Sequence, residues 1–370
     1  MTITILAICL FAGACAFSAI LTGVVRRLSL RIGFVARPAA DRHHTSVVAL
    51  GGGVAIFWTV ALFILAGLCI VKFVIAGGGI GWFDDSVNVH AEGFLAKAGD
   101  LLIVLAGGLA LHLMGLRDDS KPIEALIKLV VQFAVAVVIA VFADIRVEFF
   151  IPSKIATTAL SVVWSVLIVN VFNFLDNMDG LSAGIAAISS AVLFTAAAFS
   201  GQVFIGALGL VFIGSLLGFL LFNFPPARIF MGDSGSMIVG YFVAIITLRT
   251  TYYQQELQTG LYAVLIPLVV MAVPLYDFVS VTFLRVSRGK SPFVGDTQHF
   301  SHRLKRRGLS DTQTVLTLYL ATVCTGISAV FLYQVDLTGA ILILAQTIMI
   351  LTIIAILEST QSRSPSDRHE

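Results

Sequence analysis

Charge is what this sequence has least of. Asp, Glu, Lys and Arg make up 12% of its 370 residues, about half the share found in soluble proteins. Hydrophobic residues make up 58% and mean hydropathy is +0.99, which excludes a soluble globular protein. There are four cysteines, Cys9, Cys15, Cys69 and Cys324, each inside an apolar run, with no CxxC spacing and no histidine beside them. Neither a zinc site nor a disulfide framework is expected from them. No basic stripe of the kind that tracks a phosphate backbone is present, so no nucleic acid is expected as a partner.

What fills the chain instead is a succession of apolar runs, each long enough to cross a bilayer at roughly 20 residues. Spans are expected near 3–25, 54–76, 99–116, 123–143, 156–174, 183–200, 202–222, 236–250, 261–284, 314–333 and 337–357, which predicts an all-α polytopic membrane protein with 10 to 11 helices. No basic residue precedes the first run and Arg26–Arg27 follow it, the pattern of a retained span rather than a cleaved leader. With the N-terminus outside and the C-terminus cytoplasmic, all but five of the 23 basic residues lie inside; Lys72, Lys97, Arg146, Lys154 and Arg249 are the exceptions. One catalytic domain is expected over 1–358, followed by a polar cytoplasmic tail at 359–370 that is too poor in apolar residues to fold.

The same topology sorts the acids. Asp118–Asp119, Asp176 with Asp179, Asp233, and Asp296 fall in four separate connections that share the cytoplasmic side, while the outward acids show no pattern. Adjacent carboxylates such as Asp118 and Asp119 remain ionised only beside a cation. Their plainer reading is an interhelical loop in which Asp119 or Ser120 caps the helix that begins at Pro122. Lys128 lies about two turns into the next span, where an ammonium is costly unless it meets an anion.

Asn170, Asn173, Asp176 and Asp179 recur every three residues, which predicts one side of a helix end and an oxygen-rich site suited to a hard cation such as Mg²⁺. In Gly232-Asp233-Ser234-Gly235-Ser236, Asp233 can cap a helix, or it can ligate a metal while the N–H groups of that helix start face a phosphate. His299 and His302 stand among Arg303, Lys305, Arg306 and Arg307. Two histidines without a thiol or third histidine are a poor zinc site, so phosphate contact is the better reading, with a simple positive-inside loop as the plain alternative.

These motifs, DD at 118–119, NVFNFLDNMDGL at 170–181, FMGDSGS at 230–236 and DTQHFSHRLKRRG at 296–308, together resemble the polyprenyl-phosphate N-acetylhexosamine-1-phosphate transferases, integral membrane enzymes that begin bacterial envelope glycans. The DRHH and GGG segment at 41–53 adds weaker support. The resemblance covers nearly the whole chain. It implies transfer of a sugar 1-phosphate, GlcNAc-1-phosphate above all, from a UDP-N-acetylhexosamine to undecaprenyl or another polyprenyl phosphate, with release of UMP, at the cytoplasmic face of the bacterial cell membrane.

Carried residue by residue, the resemblance implies that Asp118, Asp119, Asp176 and His302 are catalytic, with one acid of the pair deprotonating or positioning the acceptor phosphate. Asn173 and Asp233 are implied as Mg²⁺ ligands, with Mn²⁺ as an alternative metal. Lys128 is implied to bind phosphate, Asp179 and Phe230 to line a uracil pocket, His299 and Arg303 to close over the pyrophosphate and sugar, and Asn177 and His44 to contact substrate. Asn177 replaces a glycine usual in the family, and Ser301 replaces a histidine, which points away from the phospho-MurNAc-pentapeptide branch. That branch remains the alternative within the family, an ion-coupled transporter the alternative outside it. A homodimer is left open.

Overall fold

The computed structural model describes residues 1–37, 47–75, 83–147, 151–250, 252, 261–289 and 299–359. In chain order its elements are α1 (Ile3–Ile32), β1 (Val35–Ala36), β2 (Val48–Ala49), α2 (Gly52–Ile70), α3 (Asp85–Asn88), α4 (Ala91–Ala96), α5 (Ala98–Ser120), α6 (Ala125–Phe142), α7 (Lys154–Leu175) and α8 (Leu181–Phe199). There follow α9 (Val203–Asn223), α10 (Asp233–Arg249), α11 (Ile266–Val270), α12 (Ala272–Ser287), α13 (Phe300–Arg306), α14 (Asp311–Phe331) and α15 (Leu337–Ser359).

Among the described residues nine helices are long and apolar enough to cross a membrane, and the bent pair at Leu261–Val270 and Ala272–Ser287 brings the number to ten. The span expected near 261–284 is broken into two helices that meet at 58°. Pro274 explains the break, because a proline has no N–H for the carbonyl of Val270 and its ring crowds that carbonyl. The remaining expected span, 236–250, corresponds to α10, whose 17 residues reach roughly 25 Å.

The helices begin and end where local chemistry dictates. Thr2 caps α1 by accepting from Ile5 N, and Gly33 ends it in the left-handed conformation. Ser310 and Gln313 form a reciprocal capping box at the start of α14. Large apolar side chains such as Ile20, Phe142, Ile155, Leu221 and Phe283 stand exposed around the bundle, which water would disfavour and lipid does not.

Inside that ring the packing is centred on α10, buried at every position from Ser234 to Leu248. It lies against α7, α5, α2 and α8. Tyr241 donates to Val104 O at 2.8 Å and Trp164 Nε1 donates to Thr247 Oγ1 at 2.8 Å, so the polar groups of the central helix are satisfied by its neighbours. Its N-terminus is packed almost backbone to backbone: a Cβ on Gly53 would lie 2.3 Å from Gly235 N, and one on Gly115 would lie 2.4 Å from Ser234 Cα.

The two short strands β1 and β2 pair antiparallel, and Ala49 bridges to Ile229. Phe230 N donates to Ala49 O, Gly52 N to Phe230 O and Gly53 N to Met231 O. The glycine segment, weak as a motif, is thus the floor on which the 229–235 loop rests.

Candidate active site

Three separate connections meet at the N-terminus of α10. Asp118, in the last turn of α5, accepts from Ile123 N at 2.6 Å and from Lys128 Nζ at 3.0 Å. Lys128, in the first turn of α6, also donates to Asp233 Oδ2 at 3.1 Å. One ammonium therefore bridges two carboxylates that are 115 residues apart in sequence, which resolves the cost of placing a lysine inside a span. Asp118 and Asp233 also adjoin each other.

Asp119 does something different from its neighbour. Its two oxygens accept from Asp233 N at 2.8 Å and Ser234 N at 3.2 Å. It caps α10 from another helix, rather than the segment at Pro122, and it occupies the two N–H groups that the sequence offered to a phosphate. The reading of that helix start as a phosphate cradle is corrected accordingly. Gly232, the N-cap, has φ +71°, and a Cβ there would lie 2.5 Å from Asp119 Oδ2, so glycine is required on both counts.

The asparagine–aspartate repeat is not one helix face. The helix α7 stops at Leu175, Asp176 is its C-cap, and 177–180 form a turn ending in Gly180 at φ +74°. Asn170 donates to Gln132 Oε1 at 2.6 Å, inside the bundle. Asn173 Nδ2 donates to Ser236 Oγ at 2.9 Å, which turns its carbonyl oxygen to other uses. Asp179 Oδ2 accepts from Ala227 N at 2.8 Å, joining the turn to the loop that leads to Phe230, itself half-buried. Asp176 lies within electrostatic reach of Asp233, Asp119 and Asp179; burial, and then those three charges, push its carboxyl well above the usual carboxylate range.

The histidine helix docks on the same region. Asn177 Oδ1 accepts from Ser301 Oγ at 2.6 Å. His299 and His302 are 5% and 7% exposed, with rings 6.3 Å apart, and Phe174 places its ring edge-on to His299 at 6.1 Å. Arg303 pairs with Glu358 at 3.2 Å and donates to Ser280 at 2.8 Å, so its guanidinium is held by protein groups rather than presented openly. His44 and Asp296 lie outside the described residues.

An apolar groove of about 340 Å³ runs between α6, α7 and α12, lined by Leu129, the residue after Lys128, and by Phe133, Val163, Asn170, Phe174 and Phe278 among others.

The model of glycosyl transferase family 4 matches residues 101–251, which hold the acidic pair, Lys128, the asparagine–aspartate turn and the start of α10. A Bacillus subtilis protein named "Probable undecaprenyl-phosphate N-acetylglucosaminyl 1-phosphate transferase" is 30% identical over 91% of this chain and 87% of its own length. The chain belongs to glycosyl transferase family 4. Other relatives are a Mycolicibacterium smegmatis decaprenyl-phosphate N-acetylglucosaminephosphotransferase, 29% identical over 81% of this chain and 75% of its own, and the Escherichia coli K12 undecaprenyl-phosphate alpha-N-acetylglucosaminyl 1-phosphate transferase, 26% identical over 82% and 78%.

In this family 4 chain the donor set suits a hard cation. Five aspartates gather with one asparagine, and Lys128 pairs with two of them, Asp118 and Asp233. Among those residues no three His, Cys, Asp or Glu side chains close into a metal cage. Mg²⁺ needs no such cage, because it takes one or two protein oxygens and keeps water and phosphate for the rest.

Sequence reading gave Asp277 no part in this site. It is 1% exposed, and its two oxygens accept from His299 Nδ1, at 2.9 Å, and from Phe300 N, at 3.0 Å, so it both caps α13 and orients its histidine. The available signal was a lone acid inside an apolar run, which is expensive without a partner. Tyr319 was also missed: its hydroxyl donates to Gly180 O at 2.5 Å and buttresses the 176–180 turn.

Proposed function

We propose that this chain transfers N-acetylglucosamine 1-phosphate from UDP-GlcNAc to undecaprenyl phosphate, or a polyprenyl phosphate of similar kind, and so starts an envelope polysaccharide at the cytoplasmic face of the cell membrane. An oxygen of the acceptor phosphate bonds to the sugar-bearing phosphorus of the donor, the bond from that phosphorus to UMP breaks, and UMP leaves. The observation that carries this reading is Lys128, shared by Asp118 and Asp233 in the first turn of α6, the helix whose Leu129 and Phe133 line the apolar groove. A lipid phosphate needs a cation at headgroup depth and an apolar slot for its chain, and α6 contributes to both. The names of the curated relatives support the same chemistry.

Each residue then has a task. Lys128 exchanges part of its carboxylate pairing for the acceptor phosphate, and Asp118 positions that phosphate or takes its proton. Asp119 fixes the start of α10 and with it Asp233. Asp179 and Phe230 take the uracil, whose imide N–H suits a carboxylate and whose face suits an aromatic ring. Asn177, His299, His302, Arg303 and His44 serve the pyrophosphate and sugar. Asp176 is held in an environment that favours its protonated form until positive charge arrives. Asn173 and Asp233 would hold Mg²⁺, or Mn²⁺ in its place, and the metal when bound neutralises the donor pyrophosphate, as phosphoryl-type transfer requires.

The purified protein given Mg²⁺, undecaprenyl phosphate and UDP-GlcNAc is expected to release UMP and form lipid-linked sugar. Absence of UMP with every UDP-N-acetylhexosamine, together with solute flux into liposomes, would establish a carrier instead.

A further inference from the structure

The last helix, α15, carries a single ionisable side chain, Glu358, at its C-terminal end. Glu358 is 8% exposed, a position that a carboxylate tolerates only when it is paired. Its Oε1 accepts the Tyr276 hydroxyl at 2.6 Å and meets Arg303 Nη1 at 3.2 Å, and its main-chain oxygen accepts from Arg307 Nη2 at 3.0 Å. Arg303 Nη2 continues to Ser280 Oγ at 2.8 Å. One residue at the end of the final span therefore ties α15 to α12 and to the far end of α13.

The near end of α13 is held separately. Asp277, next to Tyr276 on α12, binds His299 and Phe300 N. With seven residues, α13 is too short to persist by helix propensity, so its place depends on these two anchors and on Ser301. The anchors share one logic, since each is a buried carboxylate in a span that reaches up to hold one end of a basic surface helix.

We propose that Glu358 is a positioning residue for the transfer reaction, latching α13 through Arg303 so that His299 and His302 are presented together. This rests on the transferase reading for its kinetic consequence and on geometry alone for the latch. The last span is then a working part of the site and not only a membrane anchor.

The test uses the full chain in detergent. Glu358→Gln keeps an acceptor for the Tyr276 hydroxyl and removes the charge that Arg303 meets. Deuterium uptake at residues 299–307 is expected to rise, with α1 to α10 unchanged. In the UMP-release assay kcat is expected to fall about tenfold, because small misplacements of reacting groups are costly, while KM for undecaprenyl phosphate stays constant. Tyr276→Phe, which leaves the ion pair, should give both changes in weaker form. Parental uptake at 299–307 in both variants, or raised uptake with parental kcat and KM, overturns the proposal. Uptake is read without substrate, so an inactive parent protein would sink the transferase reading while the exchange data still decide whether Glu358 holds α13.

Discussion

Ser301 Oγ donates to Asn177 Oδ1 at 2.6 Å, and this bond ties the histidine helix α13 to the turn that carries Asp176 and Asp179. Both residues depart from the family pattern that the chain resembles, and they depart in contact with each other. Asn177 also donates to Phe174 O at 2.8 Å, so the strap extends to the end of α7. Ser301→Ala leaves the half-buried amide oxygen of Asn177 without this donor and is expected to cost about 0.5–1.5 kcal/mol. A double-mutant cycle with Asn177→Ala, read by thermal unfolding in detergent, should show the two losses to be strongly non-additive; simple additivity would mean that the bond does not form.

The two adjacent acids should separate by phenotype. Asp119 holds two backbone N–H groups of α10, so Asp119→Ala is expected to lower stability by about 1–2 kcal/mol, the usual cost of a lost cap, and activity with it. Asp118→Asn leaves that cap intact and should abolish UMP release while the melting temperature stays near that of the parent. Equal effects on stability from both changes would remove the distinction.

Asp176 supplies a pH-dependent prediction. Its carboxyl titrates higher in the folded protein than in the unfolded chain, so the folded state binds more protons through the interval between the two values. Stability is therefore present at low pH and lost as pH rises through that interval. Asp176→Asn is expected to raise the melting temperature in metal-free buffer near pH 7 while eliminating turnover. Addition of Mg²⁺ should stabilise the parent more than the variant. A variant that melts below the parent across the pH range would contradict this.

Close packing at the start of α10 predicts a contrast between two glycines. A Cβ on Gly53 would sit 2.3 Å from Gly235 N, whereas one on Gly99 meets nothing within 4 Å. Gly53→Ala is expected to destabilise by about 1–3 kcal/mol, the usual range for overpacking, or to prevent accumulation in the membrane. Gly99→Ala, in α5, should be neutral or slightly stabilising. Comparable thermal shifts for the two would show that the approach of α2 to α10 is looser than described.

Asp277 is also open to test. Asp277→Asn keeps the shape but can no longer accept from both His299 and Phe300 N in the same way. It is expected to reduce kcat by more than tenfold with little change in the KM for either substrate, as befits a residue that orients a histidine. Parental kcat would assign Asp277 to helix capping alone.

Much of this was legible in the residues by themselves. Apolar runs of bilayer length are satisfied as helices, so the all-α class followed from composition and length. The rarity of charge made each exception informative: Asp118, Lys128 and Asp233 had to find partners, and each did. What local pattern could not reveal was which partner. Asp118 and Asp119 are neighbours in sequence with the same chemistry, yet one faces a lysine and the other caps α10, because the end of α5 abuts the start of α10. The three-residue repeat from Asn170 to Asp179 looked like one helical face, but the chain turns at Asp176 and sends Asp179 to Ala227. Asp277 and Glu358 carried no motif, and only the docking of α12 and α15 against α13 gave them partners. Sequence alone determined the solvent, the helices and the polar exceptions, because these depend on the free energy of single side chains in lipid. The tertiary structure decided the pairings, because a hydrogen bond depends on where two distant backbones bring their side chains.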